Sequence, residues 1–253
     1  MSVVVAIGGG ELKDLETLSI DREIVRLTGK KKSRALFIPT ASGDAPGYVE
    51  TFHTVYGKRL HCKTDALLLI REKLSKKTIA EKILSADIIY VGGGNTLRML
   101  TIWRKHGVDI LLRKAYAKGC ILSGLSAGAN CWFRYCSSDA RLFQKTSQPF
   151  SYMRVRGLDF IPMTVSPHHI REKTRDKGLE KIMRKTPGVG LAIDDNAAVV
   201  FEGDRYRIIT SVPTVGAKKV SVKKGKIVWE ILPKSGKISE MLKKSKSIKR
   251  LIL

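Results

Sequence analysis

The pentapeptide Gly124-Leu125-Ser126-Ala127-Gly128 constrains this chain more than any other segment. A short apolar run, residues 119–123, precedes it, and Ala129-Asn130-Cys131-Trp132-Phe133 opens a helical pattern after it. Strand, Gly-x-Ser-x-Gly, helix is the setting of a nucleophile elbow, a strained turn that lifts one serine hydroxyl above the end of a sheet. Glycines flank the serine because backbone and helix pack too closely there for side chains. Ser126 is therefore the candidate nucleophile.

The rest of the chain supplies a sheet for such a turn. Residues 3–7 read as a first strand closed by Gly8-Gly9-Gly10. Further strands are predicted at 35–40, 66–70 and 87–91, the last running into Gly92-Gly93-Gly94-Asn95-Thr96. Helices over 19–27, 48–56, 75–84, 97–103 and 108–117 are interleaved with them. A strand over 160–165 ends at Ser166-Pro167-His168-His169, a helix follows at 171–184 and a strand at 188–193. From 197 to 231 the pattern changes to short strands joined by hairpin-like turns. Alternating strands and helices imply an α/β fold with a mostly parallel central sheet covered by helices on both faces. The last strands should extend that sheet in antiparallel fashion. Residues 1–232 are expected to form one hydrolytic α/β domain, with 233–253 a basic amphipathic C-terminal helix or tail docked on it.

Composition narrows the classes. No run of about 18 apolar residues exists, so a membrane span is not expected. The first residues carry no basic leader region and read as a strand. Cys62, Cys120, Cys131 and Cys136 form no C-x-x-C pair, which predicts free thiols in a reducing cytoplasm and no metal site. The net charge of +24 attracts acidic partners. Charge alone permits nucleic-acid binding, but no basic stripe interleaved with aromatics accompanies it, so a solvated basic surface is the favoured reading. A monomer and a homodimer both fit.

Three loops follow the C-terminal ends of strands: 92–96, the Ser126 elbow and 167–169. In an open parallel sheet those ends share one edge, where sites form. A hydroxyl needs an adjacent base, and His168 is best placed, with His169 its close competitor. A carboxylate must then fix the imidazole. Asp139, thirteen residues past Ser126, is the first choice, and Asp194 and Asp195 are the alternatives. Amides of Ala127, Gly93 and Gly94 are the candidate oxyanion donors. Neither glycine triplet completes a P-loop or a dinucleotide fingerprint, so no nucleotide cofactor is expected.

With these residues in place the chain resembles the peptidase E family, serine dipeptidases related to cyanophycinase. The likeness rests on Ala6-Ile7-Gly8-Gly9-Gly10-Glu11, Phe37-Ile38-Pro39-Thr40-Ala41-Ser42, Gly92-Gly93-Gly94-Asn95-Thr96, Gly124-Leu125-Ser126-Ala127-Gly128-Ala129 and Ser166-Pro167-His168, and covers roughly residues 3–203. The resemblance implies a class I glutamine-amidotransferase-like fold and removal of an N-terminal aspartate from a dipeptide or short peptide, with no metal or other cofactor. Ser126 matches the family's nucleophile and His168 its histidine, while Asp139 falls near its acidic third member. Asn95 and Arg171 are the implied substrate-binding residues, Arg171 as the cation for the aspartate carboxylate, with Arg134 and Arg175 behind it. The family usually has an aromatic residue where this chain has His169. Rival readings are a β-aspartyl or cyanophycin-type peptidase on the same scaffold, and a non-catalytic basic binding protein.

Overall fold

The computed structural model describes residues 2–139 and 151–243. Its strands are β1 (Val3–Ile7), β2 (Arg34–Ile38), β3 (Lys63–Ala66), β4 (Ile88–Val91), β5 (Ile121–Leu125), β6 (Phe133–Ser138), β7 (Met153–Arg156), β8 (Ile161–Ser166), β9 (Gly190–Ile193), β10 (Ala197–Glu202), β11 (Arg205–Thr210), β12 (Ala217–Lys223), β13 (Lys226–Ile231) and β14 (Ser235–Lys237). The helices are α1 (Leu18–Arg26), α2 (Pro46–Phe52), α3 (Lys76–Leu84), α4 (Thr96–His106), α5 (Val108–Ala117), α6 (Ala127–Asn130), α7 (Arg175–Met183) and α8 (Ile238–Leu242), and a π-helical stretch, His53–Arg59, continues α2.

Every residue of β1, β4 and β5 is buried, as expected of parallel strands covered on both faces. The first sheet runs β14-β11-β10-β1-β5-β4-β2-β3. From β1 to β3 all neighbours are parallel, and β10, β11 and β14 extend the β1 side in antiparallel fashion. This is the expected mostly parallel sheet with an antiparallel extension, but β12 and β13, expected in that extension, belong to a second sheet because β12 pairs with β9.

A second sheet was not foreseen. Six strands form it in the order β13-β12-β9-β8-β6-β7. The strands expected near 160–165 and 188–193 lie in this sheet, parallel to each other, with Ser166 opposite Ala192. The reason is that no edge is open beside the elbow strand, the free edge at β3 lying at the far end of the sheet. β5 is flanked by β1 and β4, and β10 occupies the other side of β1, so the intervening strands pair among themselves. The sheets share one apolar cluster, in which Val4 and Ala6 of the first join Val165 and Ile193 of the second.

Smaller departures have local causes. The third strand lies at Lys63–Ala66 rather than 66–70, pairing with Arg34–Phe37 at the sheet edge. Leu67 and Leu69 are buried from the turn beyond it, which made that turn read as a strand. The helix expected from 171 begins at Arg175, because the preceding residues form the turn that follows His168. Of the expected tail helix, only Ile238–Leu242 is seen, with Ile238 and Met241 buried, and residues 244–253 lie outside the described part.

Candidate active site

Strand register brings the loops together. Ile7 of β1 pairs with Leu125 of β5, and Val91 of β4 with Gly124, so the three strands end level. Ile7 also pairs with Ala198 of the antiparallel β10, which places the residues just before β10 at that same edge. Gly8, Gly9 and Gly10 after β1 therefore lie against Asp194, Asp195 and Asn196, and Gly93 after β4 lies against Ser126 after β5.

Ser126 sits at φ 57°, ψ −110°, a conformation that L side chains rarely adopt. It is held there by its N–H, which donates to the Ile7 carbonyl at 3.1 Å, and by its own carbonyl, which accepts from Asn130 at 2.9 Å. α6 can start at once because Gly128 has no side chain: a Cβ there would lie 2.1 Å from the Val91 oxygen. The sharp turn directs the hydroxyl out of the sheet.

His168 follows β8 of the second sheet at φ 62°, and its N–H donates to the Gly8 carbonyl at 3.2 Å. That bond ties the turn to the end of β1. The imidazole Nε2 lies 2.8 Å from Ser126 Oγ and Nδ1 lies 2.7 Å from Asp195 Oδ1. A carboxylate at Nδ1 keeps the proton on that nitrogen, leaving Nε2 to accept from the serine hydroxyl. Asp195 lies where the chain crosses from β9 of the second sheet to β10 of the first. Its other oxygen accepts the Arg171 amide at 3.0 Å. Burial raises the affinity of its carboxyl for a proton, but the bonds from His168 and the Arg171 amide, with the charges of both residues, hold it below the ordinary aspartate value.

Asp139 is placed elsewhere, which corrects the first choice of acid. It follows β6 and accepts from the fully buried guanidinium of Arg175 at 3.1 Å, a group also bound by Glu172. Asp194 accepts from the Gly216 amide at 2.9 Å, on the opposite side of the crossing. His169 turns away from the cleft: its Nδ1 bonds Asp176 at 2.7 Å and its ring packs edge-on against Trp229. Of the alternatives named from sequence, only Asp195 faces His168.

The expected donors and binding residues separate in the same way. Gly93 borders Ser126, since a Cβ on it would stand 3.4 Å from the serine Cβ, and its N–H points at the Tyr48 hydroxyl 3.5 Å away. Ala127 opens α6, so no earlier turn of that helix offers its N–H an acceptor. Gly94 instead packs on the Ala41 carbonyl. Asn95 caps α4, its Oδ1 accepting from the Arg98 amide at 2.9 Å. Arg171 is engaged by Glu16 at 2.6 Å and Glu11 at 3.8 Å, and Arg134 by Asp159. Neither Arg171 nor Asn95 lines the cleft beside Ser126.

That cleft holds about 550 Å³ and includes Ser126, His168, Gly93, Tyr48, Glu11 and Lys13 in its wall. Sequence reasoning missed Gly9 here. A Cβ on it would lie 2.0 Å from Asp195 Oδ1 and 2.5 Å from His168 Nδ1, so only glycine leaves room for the pair. Among the described residues, no group of three or more His, Cys, Asp or Glu side chains is placed to hold a metal ion. The four cysteines are buried and free, and burial pushes the Cys120 and Cys136 thiols up to about 12. No described helix is long and apolar enough to cross a membrane.

A hydroxyl, an imidazole and a carboxylate in line at a cleft can transfer an acyl group, and comparison with known proteins puts the chain among the peptidases. The uncharacterized peptidase YgaJ of Bacillus subtilis (strain 168) is 31% identical over 236 residues, spanning 92% of this chain and 98% of its own. Peptidase E of Shewanella denitrificans is 26% identical over 196 residues, 74% of this chain and 79% of its own. The model of peptidase family S51 matches residues 4–209, and the chain belongs to that family. A crystal structure of a peptidase from an acI-B1 Actinobacterium shares its class I glutamine-amidotransferase-like fold, with a TM-score of 0.70 at 19% identity over 94% of this chain and 97% of that one.

Proposed function

We propose that this peptidase is of the serine type and removes an N-terminal aspartate from dipeptides or short peptides, with Ser126 as nucleophile, His168 as base and Asp195 as its orienting acid. The unbroken line from Ser126 Oγ to His168 Nε2 at 2.8 Å and from Nδ1 to Asp195 at 2.7 Å carries the proposal. In this reading Ser126 Oγ attacks the scissile carbonyl carbon while its proton passes to Nε2. The oxygen that becomes negative is met by the Ala127 amide and, once it leaves Tyr48, the Gly93 amide. Collapse breaks the C–N bond, and His168 returns the proton to the leaving amine. Water then repeats the sequence on the acyl-enzyme. Asp195, ionised at neutral pH, stabilises the imidazolium formed in each half. Free buried thiols fit action in a reducing compartment such as the cytoplasm.

The test is hydrolysis of Asp-X dipeptides by purified variants. Ser126→Ala should lose about 10⁶ in kcat and Asp195→Asn about 10⁴, as in serine peptidases with such a triad. Asp139→Asn should lose far less than Asp195→Asn. Full turnover by Ser126→Ala refutes the mechanism, and a reversed order for the two aspartates refutes the acid.

A further inference from the structure

We propose that Lys13 is the specificity residue of the cleft, the cation that receives a substrate carboxylate beside Ser126. The inference deepens the peptidase reading above and rests on it. Two charged side chains other than His168 line the cleft, Glu11 and Lys13. Glu11 has a counter-ion, since the Arg171 guanidinium stands 3.8 Å from it. Arg171 is itself held by Glu16 at 2.6 Å and lies 3.9 Å from Asp195, so its charge is shared among three carboxylates. Lys13 is exposed and makes no ion pair or side-chain hydrogen bond with any described residue. The rest of the wall is neutral: Leu12, Tyr48, Thr51 and Leu125 carry no charge there, burial keeping the Tyr48 phenol protonated.

The backbone under Lys13 is fixed. Leu12 beside it is buried in the core. The Glu11 amide donates to Glu16 Oε2 at 2.7 Å, and the amides of Asp14 and Leu15 donate back to the carbonyls of Glu11 and Leu12 at 3.2 Å. A long ammonium with no partner among the described residues, on an anchored turn beside a cleft whose one carboxylate already has a counter-ion, attracts anionic groups, and a carboxylate is the anion a peptide carries. The carboxylate has two sources, the side chain of an N-terminal aspartate and the C-terminus of a dipeptide.

Three substrates separate the sources: Asp-Ala-amide carries only the first, Asn-Ala only the second, and Asn-Ala-amide neither. Wild type, Lys13→Gln and Lys13→Arg are compared by kcat/KM on each. In Lys13→Gln the preference for the carboxylate substrate over Asn-Ala-amide should fall roughly ten- to a hundred-fold, chiefly through KM, as expected for loss of a charge-assisted hydrogen bond. Lys13→Arg should restore most of it. A fall for Asp-Ala-amide assigns Lys13 to the acidic side chain, and a fall for Asn-Ala assigns it to the C-terminus. Unchanged preferences in Lys13→Gln overturn the proposal while leaving the peptidase reading intact. If wild type cleaves none of the three, the peptidase reading fails, and Lys13 is judged by calorimetry with Asp-Ala-amide and Asn-Ala. Weaker binding of either by Lys13→Gln then supports the assignment, and equal binding of both overturns it.

Discussion

Ser126 at φ 57° and His168 at φ 62° both occupy backbone conformations that cost roughly 1–3 kcal/mol for residues other than glycine. Each is held by a hydrogen bond to the end of β1 or the loop after it, so the strain fixes the proposed nucleophile and base against one support. Gly9 is the third element of that support. Gly9→Ala should leave the fold intact but push Asp195 and His168 apart, cutting kcat for a dipeptide by 10²-fold or more at an unfolding midpoint close to wild type. Normal turnover in that variant would mean that the pair tolerates displacement. The meeting of Ser126 with His168 is legible in the sequence because a strained turn between a strand and a helix, and a Pro-His at a strand end, leave local signatures. The acid is not legible: Asp139, Asp194 and Asp195 all follow strands, and only the crossing between sheets decides which one faces the imidazole. Gly9 is hidden for the same reason, since nothing in a glycine triplet says whose side chain stands 2 Å away.

At the level of elements, most strands and helices follow from periodicity, and the misplacements occur where edges and turns overrule it. β3 is the instructive case, because its polar residues Lys63–Ala66 suit an exposed edge while the apolar residues after it fill the core. α1 carries a feature that the apolar pattern does not reveal. Asp21 is fully buried on its inner face, bonded by Tyr56 and Thr17, each at 2.8 Å. Burial raises its carboxyl from 3.8 to about 7 despite those two bonds, which pull it down. Between about pH 4 and 7 the folded chain therefore holds a proton that the unfolded chain has released. Stability from this group is full below pH 4 and falls as pH rises to 7, by on the order of 4 kcal/mol. Asp21→Asn should remove that slope: between pH 5 and 8 the urea midpoint of wild type should fall more than that of the variant. Parallel pH profiles would show that the Asp21 carboxyl is ionised in the folded chain as it is in the unfolded one.

For the whole molecule, the +24 charge gives no account of the fold, which is set by a core common to both sheets. Val4, Ala6, Val165 and Ile193 belong to one cluster, so neither sheet can lose its strands without exposing the other. Unfolding should follow one transition, with far-ultraviolet circular dichroism coinciding with the fluorescence of Trp103, Trp132 and Trp229. Two separated midpoints would mean that the sheets melt independently. The second sheet escapes the sequence reading because pairing partners are chosen by which edges remain open, a property of the assembled layers rather than of any segment. Its presence has a kinetic consequence. Ser126 rides on one sheet and His168 on the other, so in the proposed mechanism a slip of an ångström between the layers uncouples the attacking oxygen from its proton acceptor. In a peptidase that works this way, warming should silence turnover while the ellipticity is still native.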